Sequence, residues 1–236
     1  MLFRSPWSGA RQRTRDVQIN TLDIRRANGK TWLEALTTMY IPWQYLTEEE
    51  ESPLPALPWY HEGTAYCLEQ KLIDAFDGGW FRPEETATRG VAAEALWRAA
   101  GRPEPGPEAE AFPDAEPGAD YETAALWARE QGIILGMDEG FAPEAPLTRE
   151  MLAVLLWRYA AACGLDTTGR ADLEAFPDAG ETSDWAVEAM QWAVETGLLL
   201  GDTDGDLDPK GETGRAALAV VLQRLQALTA PDESEA

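Results

Sequence analysis

The 236 residues contain one histidine, two cysteines and three lysines. With His61 alone and no paired-cysteine spacing, the sequence offers no ligand set for a zinc or iron site, and no metal is expected. Cys67 and Cys163 each lie in an apolar, helix-like stretch and read as buried free thiols, with a disulfide between them as the alternative. No apolar run is long enough to span a membrane. The N-terminal MLFRSPWSGARQRTRD lacks the apolar core of a secretion signal. The chain is therefore expected to start after a removed signal, to leave by another route, or to stay inside. Positive charge is scarce too: 19 Lys and Arg face 42 Asp and Glu, for a net charge of −23. Residues 1–46 hold seven of the basic side chains against three acidic ones, leaving the remainder strongly acidic. Such a surface repels nucleic acid and anionic lipid at long range and favours cationic partners. Nucleophile motifs, phosphate loops and metal-ligand clusters are all missing, so neither an enzyme nor a cofactor is expected.

What the chain does have is repetition. Arg89, Arg149 and Arg215 each lie six residues after a proline (Pro83, Pro143, Pro209), at the start of an Ala/Leu-rich stretch. Eight residues further on come Trp97, Trp157 and Gln223, each followed by arginine. A pattern returning three times predicts three copies of one structural unit. Each copy has a first helix with inward aromatics: 59–71, 119–132 and 183–197. Tyr66, Trp127 and Trp192 share one place in it. Ser183 or Asp184 suits the N-cap of the third such helix, and Gly197 its stop. A turn follows, with Phe81, Phe141 and Leu207 plugged into the core. A second helix then starts at Thr88, Thr148 or Gly214, of which the two threonines are good N-caps. Phe-Pro-Asp-Ala recurs at 112–115 and 176–179 as a separate mark of the repeat.

This layout resembles the S-layer homology repeat. The resemblance rests on Phe112-Pro-Asp114, Trp127-Ala128, Gly132-Ile133, Gly136, Gly140-Phe141, Pro143 and Thr148-Arg149. In the third copy it rests on Phe176-Pro-Asp178, Trp192-Ala193, Gly197-Leu198, Gly201, Asp204-Gly205, Pro209 and Arg215, and in the first on Gly79, Phe81, Pro83 and Thr88-Arg89. Val91, Met151 and Ala217 stand where the family's motif ends in glutamate. The resemblance implies an all-α fold of three helix–loop–helix repeats in a pseudo-threefold arrangement. It also implies attachment at the cell surface to a secondary cell-wall polysaccharide carrying pyruvate ketals, held in grooves between repeats to which the threonine-arginine motif contributes.

The residues themselves fit that role. A helix N-terminus presents unpaired N–H groups and partial positive charge, and an arginine there adds a planar fork matched to a carboxylate. Arg89, Arg149 and Arg215, with Thr88 and Thr148, are thus candidate ligand contacts, and Arg149 has the best local context. The competing reading pairs the arginines with carboxylates that pin one repeat to the next. Trp59, Trp127, Trp185 and Trp192 are candidate sugar platforms, although core packing is the plainer reading for them, as it is for Trp97 and Trp157. The acidic run Asp202–Asp208 lacks the glycine position and terminal glutamate of an EF-hand loop and reads as a solvated turn. His61 reads as an exposed helix-start residue.

The expected divisions are an N-terminal extension or tether at 1–50, repeats at 55–102, 110–164 and 173–228, and an acidic tail at 229–236. Residues 1–20 read as irregular, and 31–46 as a short helix interrupted at Pro42. The expected partner is a cell-wall glycan, with no membrane insertion and with the N-terminal extension as a place for a protein partner. Two other readings remain open. One is a protein-assembly component of a surface layer or phage-encoded particle, and the other is a binder of a cationic wall component.

Overall fold

The computed structural model describes residues 57–76, 79–137, 140–202 and 204–229, and the backbone of two short strands. The strands, β1 (Val17–Asn20) and β2 (Thr38–Ile41), pair antiparallel, with Val17 opposite Ile41. This corrects two expectations at once, since 17–20 is not irregular and 38–41 is not helical. Both segments are rich in β-branched and aromatic residues, and Pro42 cannot carry a helix onward. The rest of the expected N-terminal extension, and residues 230–236 of the acidic tail, lie outside the described residues.

Six helices follow. They are α1 (His61–Glu69), α2 (Arg89–Ala99), α3 (Glu122–Glu130), α4 (Arg149–Ala162), α5 (Val187–Glu195) and α6 (Arg215–Thr229). The second helix of each predicted copy begins at its arginine. Thr88 and Thr148 cap α2 and α4, their hydroxyl oxygens accepting from the amides of Val91 and Met151 at 3.3 Å. The first helices are shorter than their sequence pattern. Tyr60, Tyr121 and Ala186 precede α1, α3 and α5 without a side-chain cap, so the first turn does not form. Ser183 is therefore not the N-cap expected of it. Its N–H and hydroxyl are committed to Glu150. At the other end, Gly132 and Gly197 take left-handed conformations (φ 69° and 70°), and Lys71 adopts one (φ 54°) in the place of the missing glycine.

The helices pack in a cycle. α2 lies against α3, α4 against α5, and α6 returns to α1. At Gly63 a side chain would place its Cβ 2.7 Å from the Cα of Val220, so α1 and α6 approach as closely as two backbones allow. Phe81, Phe141 and Leu207 are buried as expected, alongside Trp127 and Trp192.

A second cycle runs through the short segments before α2, α4 and α6. The amide of Ala87 donates to the Thr213 carbonyl, that of Thr213 to Leu147, and that of Leu147 back to Ala87, at 2.7–2.9 Å. All three residues are buried. The hydroxyl of Thr213 has no hydrogen-bond partner among the described residues. Ala87 and Leu147, in the matching places, have no polar side-chain atom to satisfy.

Candidate functional site

The three arginines form a third cycle. Arg89 Nε donates to the Phe141 carbonyl (2.8 Å), Arg149 Nε to that of Leu207 (2.6 Å), and Arg215 Nε to that of Phe81 (3.0 Å). Each arginine thus grips the plug residue of the next helix pair. Arg149 adds the Leu200 carbonyl (2.8 Å) and Arg215 the Asp74 carbonyl (2.6 Å), while Arg89 turns a terminal nitrogen toward Met151 Sδ. Arg215 also lies 4.6 and 5.0 Å from the ring centroids of Phe76 and Phe81. Burial lowers the pKa of all three. Asp114 opposes this at Arg89, Asp208, Asp202 and Asp178 at Arg149, and Glu85 and Asp74 at Arg215. The arginines do pin one helix pair to the next, as the competing reading had it, but to backbone carbonyls in place of the carboxylates expected there.

The helix starts are occupied in the same way. The first two amides of α2 donate to the carbonyls of Ala145 and Pro143, those of α4 to Gly211 and Pro209, and those of α6 to Glu85 and Pro83. With the threonine caps on the third amides of α2 and α4, the unpaired N–H groups expected to meet a ligand are already engaged. Gly90 is part of this fit, since a Cβ there would sit 3.2 Å from the Pro143 carbonyl oxygen.

The tryptophans divide into two groups. Trp127 and Trp192 are core. Trp59 and Trp185, read more plainly as core, are 70% and 57% exposed. They hold matching positions just ahead of α1 and α5, on turns that the sequence periodicity had assigned to helix. Trp97 and Trp157 are half-buried against the core, their Nε1–H groups donating to the carbonyls of Pro103 (2.8 Å) and Thr167 (3.2 Å). His61 is buried, not exposed, because the helix that it opens presses onto α6. Cys67 and Cys163 are both free; only Cys67 is buried, and burial pushes its thiol up to about 12.

A groove of about 290 Å³ opens between the first and second helix pairs. Thr88, Tyr121 and the rim carboxylates Glu94, Asp120 and Glu144 line it, with Phe76 and Arg215 also on its wall. In the second and third helix pairs, Glu150 and Lys210 occupy the places of Gly90 and Glu144. There Lys210 Nζ lies 2.7 Å from Glu150, and Glu150 also accepts from Ser183. The Glu150 side chain is 4% exposed and that of Lys210 50%, so the lysine neutralises a buried carboxylate from the groove rim.

Sequence reasoning gave Asp114 and Asp178 no role. Asp114 accepts from the amides of Phe141 (2.7 Å) and Ala142 (2.6 Å), and Asp178 from those of Leu207 (2.8 Å) and Asp208 (2.6 Å). Ala142 and Asp208 have positive φ (52° and 48°), a costly conformation for residues with a side chain. The aspartate clamps the turn that presents the plug carbonyl to the arginine. The signal was available in the recurring Phe-Pro-Asp, whose aspartate precedes the plug residue by similar distances in both copies. In the acidic run, Asp202 accepts from the amides of Asp204 and Asp206, so this carboxylate shapes its own turn.

Helix pairs stitched into a cycle, with a groove between the first two, define a helical-repeat architecture. Residues 111–150 and 175–219 match the S-layer homology domain, each match running from the Phe-Pro-Asp region past the arginine of the second helix. These two segments therefore carry the S-layer homology domain. It is 28% identical over 172 residues to an S-layer protein of Bacillus thuringiensis subsp. finitimus, covering 72% of this chain and 20% of that one. It is 31% identical to the surface-layer 125 kDa protein of Lysinibacillus sphaericus (69% and 14%). It is also 30% identical to an endoglucanase of Bacillus sp. strain KSM-635 (66% and 16%). The chain thus spans a fifth or less of the length of these relatives. The domain match and the S-layer relatives indicate a cell-surface or cell-wall location. Among the described residues, no helix is long and apolar enough to cross a membrane.

Proposed function

We propose that residues 55–102, 110–164 and 173–228 are three S-layer homology repeats. In this reading they form one pseudo-threefold, non-catalytic anchoring module that holds a secondary cell-wall polysaccharide, pyruvylated in the simplest case, in grooves between the repeats. The observation that carries the reading is the arginine cycle: three equivalent side chains bind three equivalent carbonyls in rotation, and a groove opens at the first junction. Trp59 and Trp185, exposed at matching places, supply flat faces for sugar rings. Several weak contacts to one polymer then combine through effective concentration.

Because Arg89, Arg149 and Arg215 hold the helix pairs together, their removal would test folding as much as binding. The informative variant is Trp59→Ala/Trp185→Ala. On purified wall sacculi the parent chain should be retained, and the variant should lose roughly ten-fold or more in retention at unchanged melting temperature. A parent chain that washes through would overturn the proposal.

The carboxylates Glu94, Asp120 and Glu144 around the first groove favour a second reading for that groove alone, a cationic wall component. Retention through it would weaken steeply with salt.

A further inference from the structure

The three turns before α2, α4 and α6 share one backbone but differ in what fills it. In the second and third, two successive amides converge on an aspartate carboxylate, and the second amide belongs to a positive-φ residue ahead of proline. The first turn has the same build. Arg82 has φ 52°, Phe81 is buried, and the Phe81 carbonyl receives Arg215 as its counterparts receive Arg89 and Arg149. Phe-Pro-Asp, however, occurs only at 112–114 and 176–178, and nothing like it precedes the first turn. Among the described residues, no carboxylate accepts from the amide of Phe81 or Arg82.

The side chains around this turn have changed as well. Where the second and third turns carry Ala142 and Asp208, the first carries Arg82. Its guanidinium stacks 4.0 Å from the centre of the Phe76 ring, which Arg215 also approaches at 4.6 Å. The two cations are close enough for Arg82 to lower the pKa of Arg215. Arg82 also makes a solvent-exposed ion pair with Glu85 at 3.5 Å, a contact weak enough to yield to a better acceptor. Where the other turns have Gly140 and Asp206, the first has Trp80, half-exposed.

We propose that the turn Gly79–Arg82 is a binding site for a carboxylate carried on a sugar. The amides of Phe81 and Arg82 receive the carboxylate as their counterparts receive Asp114 and Asp178, Arg82 adds its guanidinium, and Trp80 offers a face to the ring. Paired amides at a left-handed residue make an anion-binding concavity, and an adjacent arginine strengthens it. The sugar is favoured over an acidic peptide because Trp80, where the two internally filled turns have Gly140 and Asp206, adds a flat apolar face. The proposal rests on the wall-anchoring reading for its ligand class. It moves the carboxylate away from the helix starts, whose amides are engaged, to a turn beside the groove that Phe76 and Arg215 line.

Amide NMR on the whole chain tests it, with methyl glucuronide, methyl glucoside and N-acetyl-aspartate as probes. Methyl glucuronide should shift the Phe81 and Arg82 resonances saturably and leave those of Phe141, Ala142, Leu207 and Asp208 in place. Arg82→Ala should weaken that binding about ten-fold, the loss of a charge-assisted contact, and Trp80→Ala should weaken it too. Unmoved Phe81 and Arg82 amides at millimolar glucuronide overturn the site. Equal shifts with methyl glucoside overturn the role of the carboxylate. N-acetyl-aspartate binding as tightly as the glucuronide, with Trp80→Ala neutral, overturns the sugar. Sacculus retention reads anchoring separately, so retained protein with unmoved amides would refute this site alone.

Discussion

At the scale of single residues, two buried or clamped groups set measurable quantities. The Asp114 carboxyl is held below its usual pKa, first by the amides of Phe141 and Ala142. A depressed folded-state pKa contributes stability above the unfolded value of 3.8, and that contribution is lost as pH falls through the lower folded value. Asp114→Asn should lower stability by about 1 kcal/mol at pH 7 and flatten the acid limb of a urea-unfolding series below pH 4. A variant as acid-sensitive as the parent would refute the clamp. Thr213 works in the opposite direction. Its buried hydroxyl lacks a partner among the described residues, so the isosteric Thr213→Val should raise stability by about 1 kcal/mol by the same measure. The arginines show how far residues could be read from sequence. Their spacing and their place at the start of each second helix were legible, and pinning was legible only as the competing reading. Their acceptors were not, because the Arg89, Arg149 and Arg215 Nε atoms bind carbonyls 52, 58 and 134 residues away, and a backbone carbonyl leaves no trace in residue type.

At the scale of elements, caps explain which boundaries were legible. The starts of α2 and α4 follow from Thr88 and Thr148, which cap as their chemistry predicts. The starts of α1, α3 and α5 do not, because apolar periodicity continues through uncapped turns where Trp59 and Trp185 face solvent. Periodicity reports which residues can share a helical face, and it cannot show where the backbone stops following one. Likewise Val17–Asn20 and Thr38–Ile41 are too short for a pattern of period two to stand out. At Gly63, α1 approaches α6 so closely that a Cβ would sit 2.7 Å from the Val220 Cα. Gly63→Ala improves helix propensity yet must push two backbones apart, so thermal unfolding should show a net loss of about 1–3 kcal/mol. A stabilised variant would mean that the helices are free to slide.

At the scale of the molecule, helix packing and the arginine bonds run in one rotation, and the amide ring through Ala87, Leu147 and Thr213 closes the same cycle in the opposite sense. An open array of repeats has end units with one neighbour each, and it can lose an end unit without losing the rest. A cycle has no such end unit. Deleting residues 173–236 removes the carbonyl partners of Arg149 and the helix that covers α1. The remainder should therefore lose its cooperative transition in circular dichroism instead of melting as a smaller folded protein. A sharp transition in that truncated chain would show that the first two pairs stand alone.

The ring of amides through Ala87, Leu147 and Thr213 has one more consequence. A closed loop of equivalent bonds does not record where the polypeptide begins. The gene could start the protein at any of the three junctions, provided that a linker joined the end of α6 to the start of α1, two helices that already pack together. Evolution can therefore shift the point at which this module is attached to a larger protein without redesigning its interior.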